Sequence, residues 1–223
     1  MARQLRLNSD PVAVIGLGRF GKSLALELAD EGVEVLGIDL DDKVVQSLAG
    51  RLTHVVAADT TDEEALRQLS LHEFARAVIG IGNDLEASIL SASVLLNLGV
   101  RDIWAKAISE SHARILSQIG VHHVVRPEHD MGKRVAHLVR GRMLDYIEFD
   151  DGYAIVKTRP PRSLHGRALG ESRPRSGYGI TIVAVKRAGQ DFTYATPDTV
   201  VKEDDIVIVA GPQDKVERFS ELT

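Results

Sequence analysis

Residues 12–21 read Val-Ala-Val-Ile-Gly-Leu-Gly-Arg-Phe-Gly, and residues 33–39 read Val-Glu-Val-Leu-Gly-Ile-Asp. Between them the segment Lys22–Asp30 carries apolar residues at helical spacing and is closed by Gly32. An apolar strand, a Gly-x-Gly-x-x-Gly turn, an amphipathic helix, a second apolar strand and a terminal acid make up a βαβ unit of the kind that holds a nucleotide. In such a unit Gly16 permits the tight turn and Gly18 lets the main chain approach a phosphate. Gly21 lets the helix pack closely on the sheet, with its first amides aimed at the anion. Asp39 lies eighteen residues after Gly21, where a carboxylate accepts hydrogen bonds from ribose hydroxyls.

The alternation continues outward from this unit. A helix over Asp42–Ala49 is ended by Gly50, and a strand follows over His54–Asp59. Thr61 and Glu64 read as a capping box for a helix over Asp62–Leu69. The strand Ala77–Ile81, a long helix Asp84–Leu98, the strand Ile103–Ile108, a helix Ser109–Ile119 stopped at Gly120, and the strand Val121–Val125 complete the run. Six apolar strands separated by helices predict a Rossmann-like doubly wound parallel sheet covered on both sides. This domain is expected over residues 1–129.

After Pro127 the pattern changes. Met131, Val135, Leu138, Val139 and Tyr146 recur at helical spacing, which predicts one amphipathic helix over Asp130–Tyr146. It acts as a crossover or hinge over residues 130–148, with an apolar face that needs a partner. Residues 149–223 read as a small α+β domain: strand Tyr153–Thr158, a Pro160-Pro161 break, a short helix near Leu164–Leu169, strands Ile180–Lys186 and Ile206–Val209, and a final helix Gln213–Leu222. So small a module buries modest apolar area alone and is expected to be stabilised by pairing.

Composition narrows the function. The chain has 223 residues and a net charge of −5, with Lys and Arg scattered rather than clustered, which argues against nucleic acid. The longest apolar runs fall far short of the ~20 residues that span a bilayer, and the N-terminus has no signal-peptide core, so a cytoplasmic location is expected. The absence of cysteine excludes disulfides, thiolate metal sites and a Cys nucleophile. His122 and His123 are adjacent and point to opposite faces of a strand, which argues against a transition-metal site.

In a doubly wound sheet the ligand lies outside the carboxyl ends of the strands, so polar residues there are informative. Asp59 contacts the base or ribose side of a nucleotide, or caps the next helix. Asn83 and Asp84 present the same choice, with Asp84 suited to an N-cap. Arg19, inside the glycine turn, reads as a phosphate contact, a reach to a neighbouring subunit's ligand, or a solvated arginine. Lys106 interrupts a buried strand, and a buried ammonium needs phosphate or carboxylate beside it unless the strand is an edge.

Several stretches resemble the cytoplasmic regulatory subunits of Trk/Ktr-type potassium uptake systems, with RCK (regulator of potassium conductance) N- and C-terminal domains. They are Gly-Leu-Gly-Arg-Phe-Gly at 16–21, Ile-Asp at 38–39, Ala-Asp-Thr-Thr at 58–61, Gly-Ile-Gly-Asn-Asp at 80–84, Ala-Lys-Ala at 105–107 and Val-Val-Arg-Pro-Glu-His-Asp-Met-Gly at 124–132. In the second module Tyr-Gly-Ile-Thr-Ile-Val-Ala-Val-Lys-Arg and Lys-Glu-Asp-Asp-Ile-Val-Ile-Val-Ala-Gly look like the companion domain. The resemblance implies dimers assembled into an octameric ring on the inner face of a membrane potassium-translocating subunit. Nucleotide would then be a signal, ATP favouring conduction and ADP the closed state, with NAD/NADH in other members.

It further implies that Arg19 senses the terminal phosphate and that Glu128 helps hold an activating divalent or sodium cation between paired subunits. Some companion domains of the family bind cyclic di-AMP, for which Arg173 or Arg175 is available. Motifs and resemblance together give an expected nucleotide-contact set of Gly16, Gly18, Arg19, Phe20, Gly21, Asp39, Asp59, Thr60, Asn83 and Lys106. The rivals are an NAD(H)-binding redox-sensing regulator and a small NAD-dependent oxidoreductase. Against an enzyme, the chain has no Cys, and His165 stands alone.

Overall fold

The computed structural model describes residues 10–140 and 143–222. The chain forms two compact units, Met1–Glu128 and His129–Thr223. In the first, the strands are β1 (Val12–Ile15), β2 (Val35–Asp39), β3 (His54–Ala57), β4 (Arg76–Ile79), β5 (Asp102–Lys106) and β6 (His123–Val125). They pair in parallel in the order β3-β2-β1-β4-β5-β6. The direction of winding reverses between β1 and β4, so a crevice opens at the carboxyl ends of these two strands.

Connecting helices are α1 (Arg19–Asp30), α2 (Asp42–Leu48), α3 (Glu63–Gln68), α4 (Leu85–Asn97) and α5 (Glu110–Ile119). Alternate residues of β1 enter opposite cores, as the strand period requires. Ala13 and Ile15 join Ile38, Ile79, Leu95 and Ile103 on one face. Val12 and Val14 join Leu17, Ala25, Val35 and Leu48 on the other. The doubly wound parallel sheet anticipated from the strand pattern is therefore present, with apolar packing on both faces.

Helix starts follow local side-chain chemistry. Asp41, Asp62, Asp84 and Ser109 accept hydrogen bonds from first-turn amides of α2, α3, α4 and α5. The expected Thr61 capping box does not form: Asp62 is the N-cap of α3, accepting from the Glu64 amide at 2.9 Å, while the Thr61 hydroxyl donates to Asp59 at 2.7 Å. Helix α1 also starts three residues earlier than the predicted Lys22, so Arg19, Phe20 and Gly21 form its first turn.

The second unit is an antiparallel sheet of β7 (Met143–Phe149), β8 (Tyr153–Thr158), β9 (Thr181–Lys186), β10 (Phe192–Tyr194) and β11 (Ile206–Pro212), in the order β10-β9-β11-β8-β7. Helices α7 (Leu169–Ser172), α8 (Pro174–Tyr178) and α9 (Gln213–Glu221) accompany it, and its core includes Tyr146, Val156, Leu164, Val209 and Phe219. The expected short helix near Leu164–Leu169 is instead a 3-10 turn at Arg162–Leu164 followed by α7.

The larger correction concerns the predicted helix Asp130–Tyr146. The helix, α6, spans Pro127–Arg140, and Met143–Phe149 is a strand; residues 141 and 142 lie outside the described residues. Tyr146 is one helical repeat beyond Val139, but it is buried in the second core, pairs with Val156 on β8 and stacks on His137 with ring centroids 4.1 Å apart. A strand partner ten residues downstream, Val156, across the turn at Asp150–Gly152, overrides the helical period.

A Cβ on Gly21 would stand 1.9 Å from the Gly16 carbonyl oxygen. Gly21→Ala is therefore expected to lower unfolding free energy by at least about 2 kcal/mol through overpacking, read as a fall in the denaturant midpoint.

Candidate functional site

The crevice beyond β1, β2 and β4 is a cleft of about 580 Å³. Gly16 and Gly18 line it after β1, Asp39 and Asp41 after β2, Asp59 and Thr60 after β3, and Gly80, Ile81, Gly82, Asn83 and Asp84 after β4. Each comes from a different loop, and the strand register brings them together.

The glycines in this wall serve different ends. Gly16 has φ +81°, which turns the chain out of β1, and a Cβ there would meet Ile81 at 2.8 Å. Gly80, absent from the sequence-derived set, is packed as tightly: its Cβ would lie 2.8 Å from the Gly16 oxygen and 3.2 Å from the Gly21 Cα. Gly18 is different. Its φ of −62° suits any residue, and no atom lies within 4 Å of where its Cβ would be. Packing gives no reason for glycine there; the open space belongs to the cleft.

Gly18 is the N-cap of α1, which has no side-chain cap and no acid in its first turn. The first intrahelical bond runs from the Lys22 amide to the Gly18 carbonyl at 2.8 Å, so the amides of Arg19, Phe20 and Gly21 precede it. The amino ends of α2 to α5 are satisfied by side chains, whereas that of α1 presents bare amides and the positive end of its dipole beside the cleft.

Asp39 is held by two amides: Leu17 donates to Oδ2 at 2.6 Å and Asp41 to Oδ1 at 2.9 Å. Asp59 accepts from the Thr61 hydroxyl and amide through Oδ1, which holds its carboxyl below the usual carboxylate range. It caps no helix and stays exposed on the cleft wall. Thr60 is buried, and its hydroxyl pairs with Ser91 at 2.7 Å, tying the loop to α4. Asn83 is exposed on the wall, and Asp84 caps α4 through the Ala87 amide at 2.9 Å.

Arg19, Phe20, Lys106 and Glu128 form a second group beside the glycine turn. Lys106 is 9% exposed at the end of β5. Its ammonium donates to Glu128 Oε1 at 2.5 Å, lies 5.7 Å from the centroid of the Phe20 ring, and would be 3.3 Å from a Cβ on Gly82. The Lys106 hydrogen bond, aided by the Glu128 backbone and the charges of Lys106 and Arg19, holds the Glu128 carboxyl below its usual range. Arg19 itself is exposed and is not part of the cleft wall.

One Glu128 oxygen is thus committed to Lys106. Among the described residues no three His, Cys, Asp or Glu side chains gather as a metal site. His122 and His123 have separate partners: His122 Nδ1 accepts from the Ile103 amide at 3.1 Å, while His123 stacks on Trp104 at 4.1 Å and lies 3.2 Å from Asp102.

The second unit has its own cavity of about 420 Å³, lined in part by Arg173, Arg175, Thr181 and Thr196. Arg175 Nε donates to the Thr181 hydroxyl at 3.0 Å. No helix among the described residues is long and apolar enough to cross a membrane.

A parallel sheet wound in both directions, with a glycine turn at its switch point and an acid ending the second strand, defines a Rossmann-like protein of the nucleotide-binding type. The TrkA-N domain model matches residues 12–127 and the TrkA-C domain model residues 153–223, so the chain belongs to the TrkA-N/TrkA-C family, which includes the Ktr and Trk potassium uptake proteins. The Ktr system potassium uptake protein C of Bacillus subtilis (strain 168) is 40% identical over 208 residues, covering 93% of this chain and 94% of that protein.

The solved GsuK channel bound to NAD has the same fold, with a TM-score of 0.66 at 17% identity over 97% of this chain. GsuK bound to ADP matches with a TM-score of 0.50 at 16% identity over 59% of this chain. The chain corresponds to only 39% and 37% of those two channel chains.

Because Glu128 is held below its usual value of 4.5 in the folded chain, its pairing with Lys106 stabilises fully above about pH 4.5 and is lost as pH falls through the lower folded value. Glu128→Gln is expected to cost about 1 kcal/mol at pH 7, limited by solvent access to Glu128, and progressively less as pH falls below 4.5. Thermal melts of both proteins across this range measure the difference.

Proposed function

We propose that this chain is the nucleotide-sensing regulatory subunit of a potassium uptake system. The observation that carries the reading is the uncapped amino end of α1: bare amides at a glycine whose Cβ position is open space on the cleft wall. A phosphate chain fits those amides, Asp39 accepts from the ribose, and the loops after β3 and β4, with Asp59 and Asn83, flank the rest of the nucleotide. Thr60 and Phe20 support this wall, through Ser91 and Lys106 respectively. Kinship with the Ktr proteins supports potassium uptake as the regulated process and a membrane-embedded translocating subunit as partner, with this chain peripheral to the inner face.

ATP and ADP differ by one phosphate and its charge. That difference changes conformation only if the two arrangements of the assembly bind it unequally. Arg19, exposed beside the turn, is suited to read the terminal phosphate, in its own chain or in a neighbour's. Glu128 supplies one ligand to a divalent or sodium cation completed by a second copy. Dimers, and an octameric ring built from them, provide that second copy. The apolar residues Met131, Val135 and Val139, exposed along α6, suit such pairing. The Arg173 and Arg175 cavity suits a cyclic dinucleotide such as cyclic di-AMP.

A second reading is that NAD and NADH are the physiological pair. Asp39 and Asp41 at the end of β2 favour an unmodified ribose. This branch is a redox-sensing regulator; a small oxidoreductase is the weaker form of it, since the described residues that line the cleft include no His, Tyr or Lys to transfer a proton.

Calorimetric titration of nucleotide-free protein with ATP, ADP, NAD and NADH, with and without divalent cation, separates these readings. Tight ATP and ADP binding, with cation strengthening ATP alone, supports the first; NADH binding without adenosine phosphates supports the second. Gly18→Ala is expected to keep stability within about 1 kcal/mol, since no packing is disturbed, yet to weaken nucleotide binding at least tenfold. Arg19→Ala is expected to retain ADP binding and narrow the difference between ATP and ADP; unchanged discrimination removes Arg19 from the sensing role.

A further inference from the structure

The Leu17 amide follows a glycine with φ +81°, so it leaves the strand ladder. The preceding rung is ordinary, with the Gly16 amide donating to the Ile38 carbonyl at 2.8 Å. Leu17 instead donates to a side chain, Asp39 Oδ2, at 2.6 Å, and the other carboxylate oxygen is fixed by the Asp41 amide at 2.9 Å. The Leu17 side chain is 1% exposed and packs where Gly37 leaves room, since a Cβ on Gly37 would lie 3.0 Å from Leu17 Cδ1. Leu17 is therefore attached to β2 twice: its side chain rests over Gly37 and its amide is held at Asp39.

The residue after Leu17 is Gly18, where the bare amides of α1 begin. The Leu17 peptide is thus one anchor of the short segment that leads into those amides, beside the Gly16–Gly21 packing. An anionic acceptor gives a stronger and more directional bond than a neutral carbonyl, and it acts before any ligand arrives. Such preorganisation removes an ordering cost from binding.

We propose that Asp39 is a positioning residue for the phosphate-binding turn, holding the Leu17 amide so that the α1 amides are preset for an anion, in addition to accepting from ribose. The inference rests on the nucleotide reading above. Both roles weaken ATP binding when Asp39 is changed, so the test removes the ribose hydroxyls from the ligand: full-length wild type and Asp39→Asn are titrated with ATP and with 2′,3′-dideoxy-ATP. Asparagine has the shape of aspartate but cannot serve both amides as an anion.

A positioning role predicts that Asp39→Asn weakens dideoxy-ATP binding by about tenfold, because a charge-assisted hydrogen bond has been lost from a ligand-free element. Equal affinity of the two proteins for dideoxy-ATP confines Asp39 to ribose contact and overturns the proposal. So does a wild type that binds ATP but loses all measurable affinity on removal of the hydroxyls. A wild type that binds no nucleotide refutes the nucleotide reading itself, and the proposal with it.

Amide hydrogen exchange on the free wild type gives a check that needs no variant. The Leu17 amide is expected to be protected like the strand amides beside it; exchange at the rate of an open loop overturns the proposal.

Discussion

Three backbones meet where β1 ends: the Gly16 carbonyl oxygen, the Gly21 Cα and the Gly80 amide region are close enough that a methyl group on Gly21 or Gly80 would overlap the Gly16 oxygen. This contact pins the glycine turn between the start of α1 and the end of β4. It sets how closely α1 approaches the sheet and the direction in which its first amides point. The cleft at the switch point depends on it, because Gly16 and Gly18 form one wall and Gly80 to Asp84 the other.

Charge is arranged around that contact in two different ways. Asp39 is satisfied by main-chain amides and remains at the cleft wall. Lys106 is nearly buried and has Glu128 as its counterion, which lies at the second position of α6. A lone ammonium so placed would be costly, and the hydrogen-bonded ion pair relieves that cost while linking the end of β5 to the start of α6. Both arrangements stand beside the turn: uncapped amides at the start of α1, and a lysine whose partner is an anion.

Much of the fold was legible in the primary structure. The alternation of apolar strands with capped helices, the glycine spacing at 16–21 and the acid at 39 required only local periodicity and backbone conformation. The places where it misled have specific causes. Tyr146 continued a helical period but lies in a strand, because the hairpin partner β8 offers it a buried site. Thr61 had the spacing of a capping residue, but the next residue, Asp62, competed for the same amides and Thr61 turned to Asp59. The three-residue strand β10 is exposed at a sheet edge and is too short for its Phe-Thr-Tyr alternation to establish a period. Gly80 stood within a quoted motif without being recognised as part of the site, since its role is defined by a neighbour 64 residues away, Gly16.

The sequence by itself determined the order of elements, the location of the turn and the chemistry available at each strand end. These follow from side-chain period, caps and glycine's freedom at positive φ, all of which act over a few residues. Only the tertiary structure decided which groups are partners. Leu17 meets Asp39, and Lys106 meets Glu128, each across a separation of 22 residues. Such pairs leave no periodic trace, because they depend on the register of neighbouring strands and on where each chain leaves the sheet. For the same reason Gly18 was a motif letter until the folded chain left an empty space beside it.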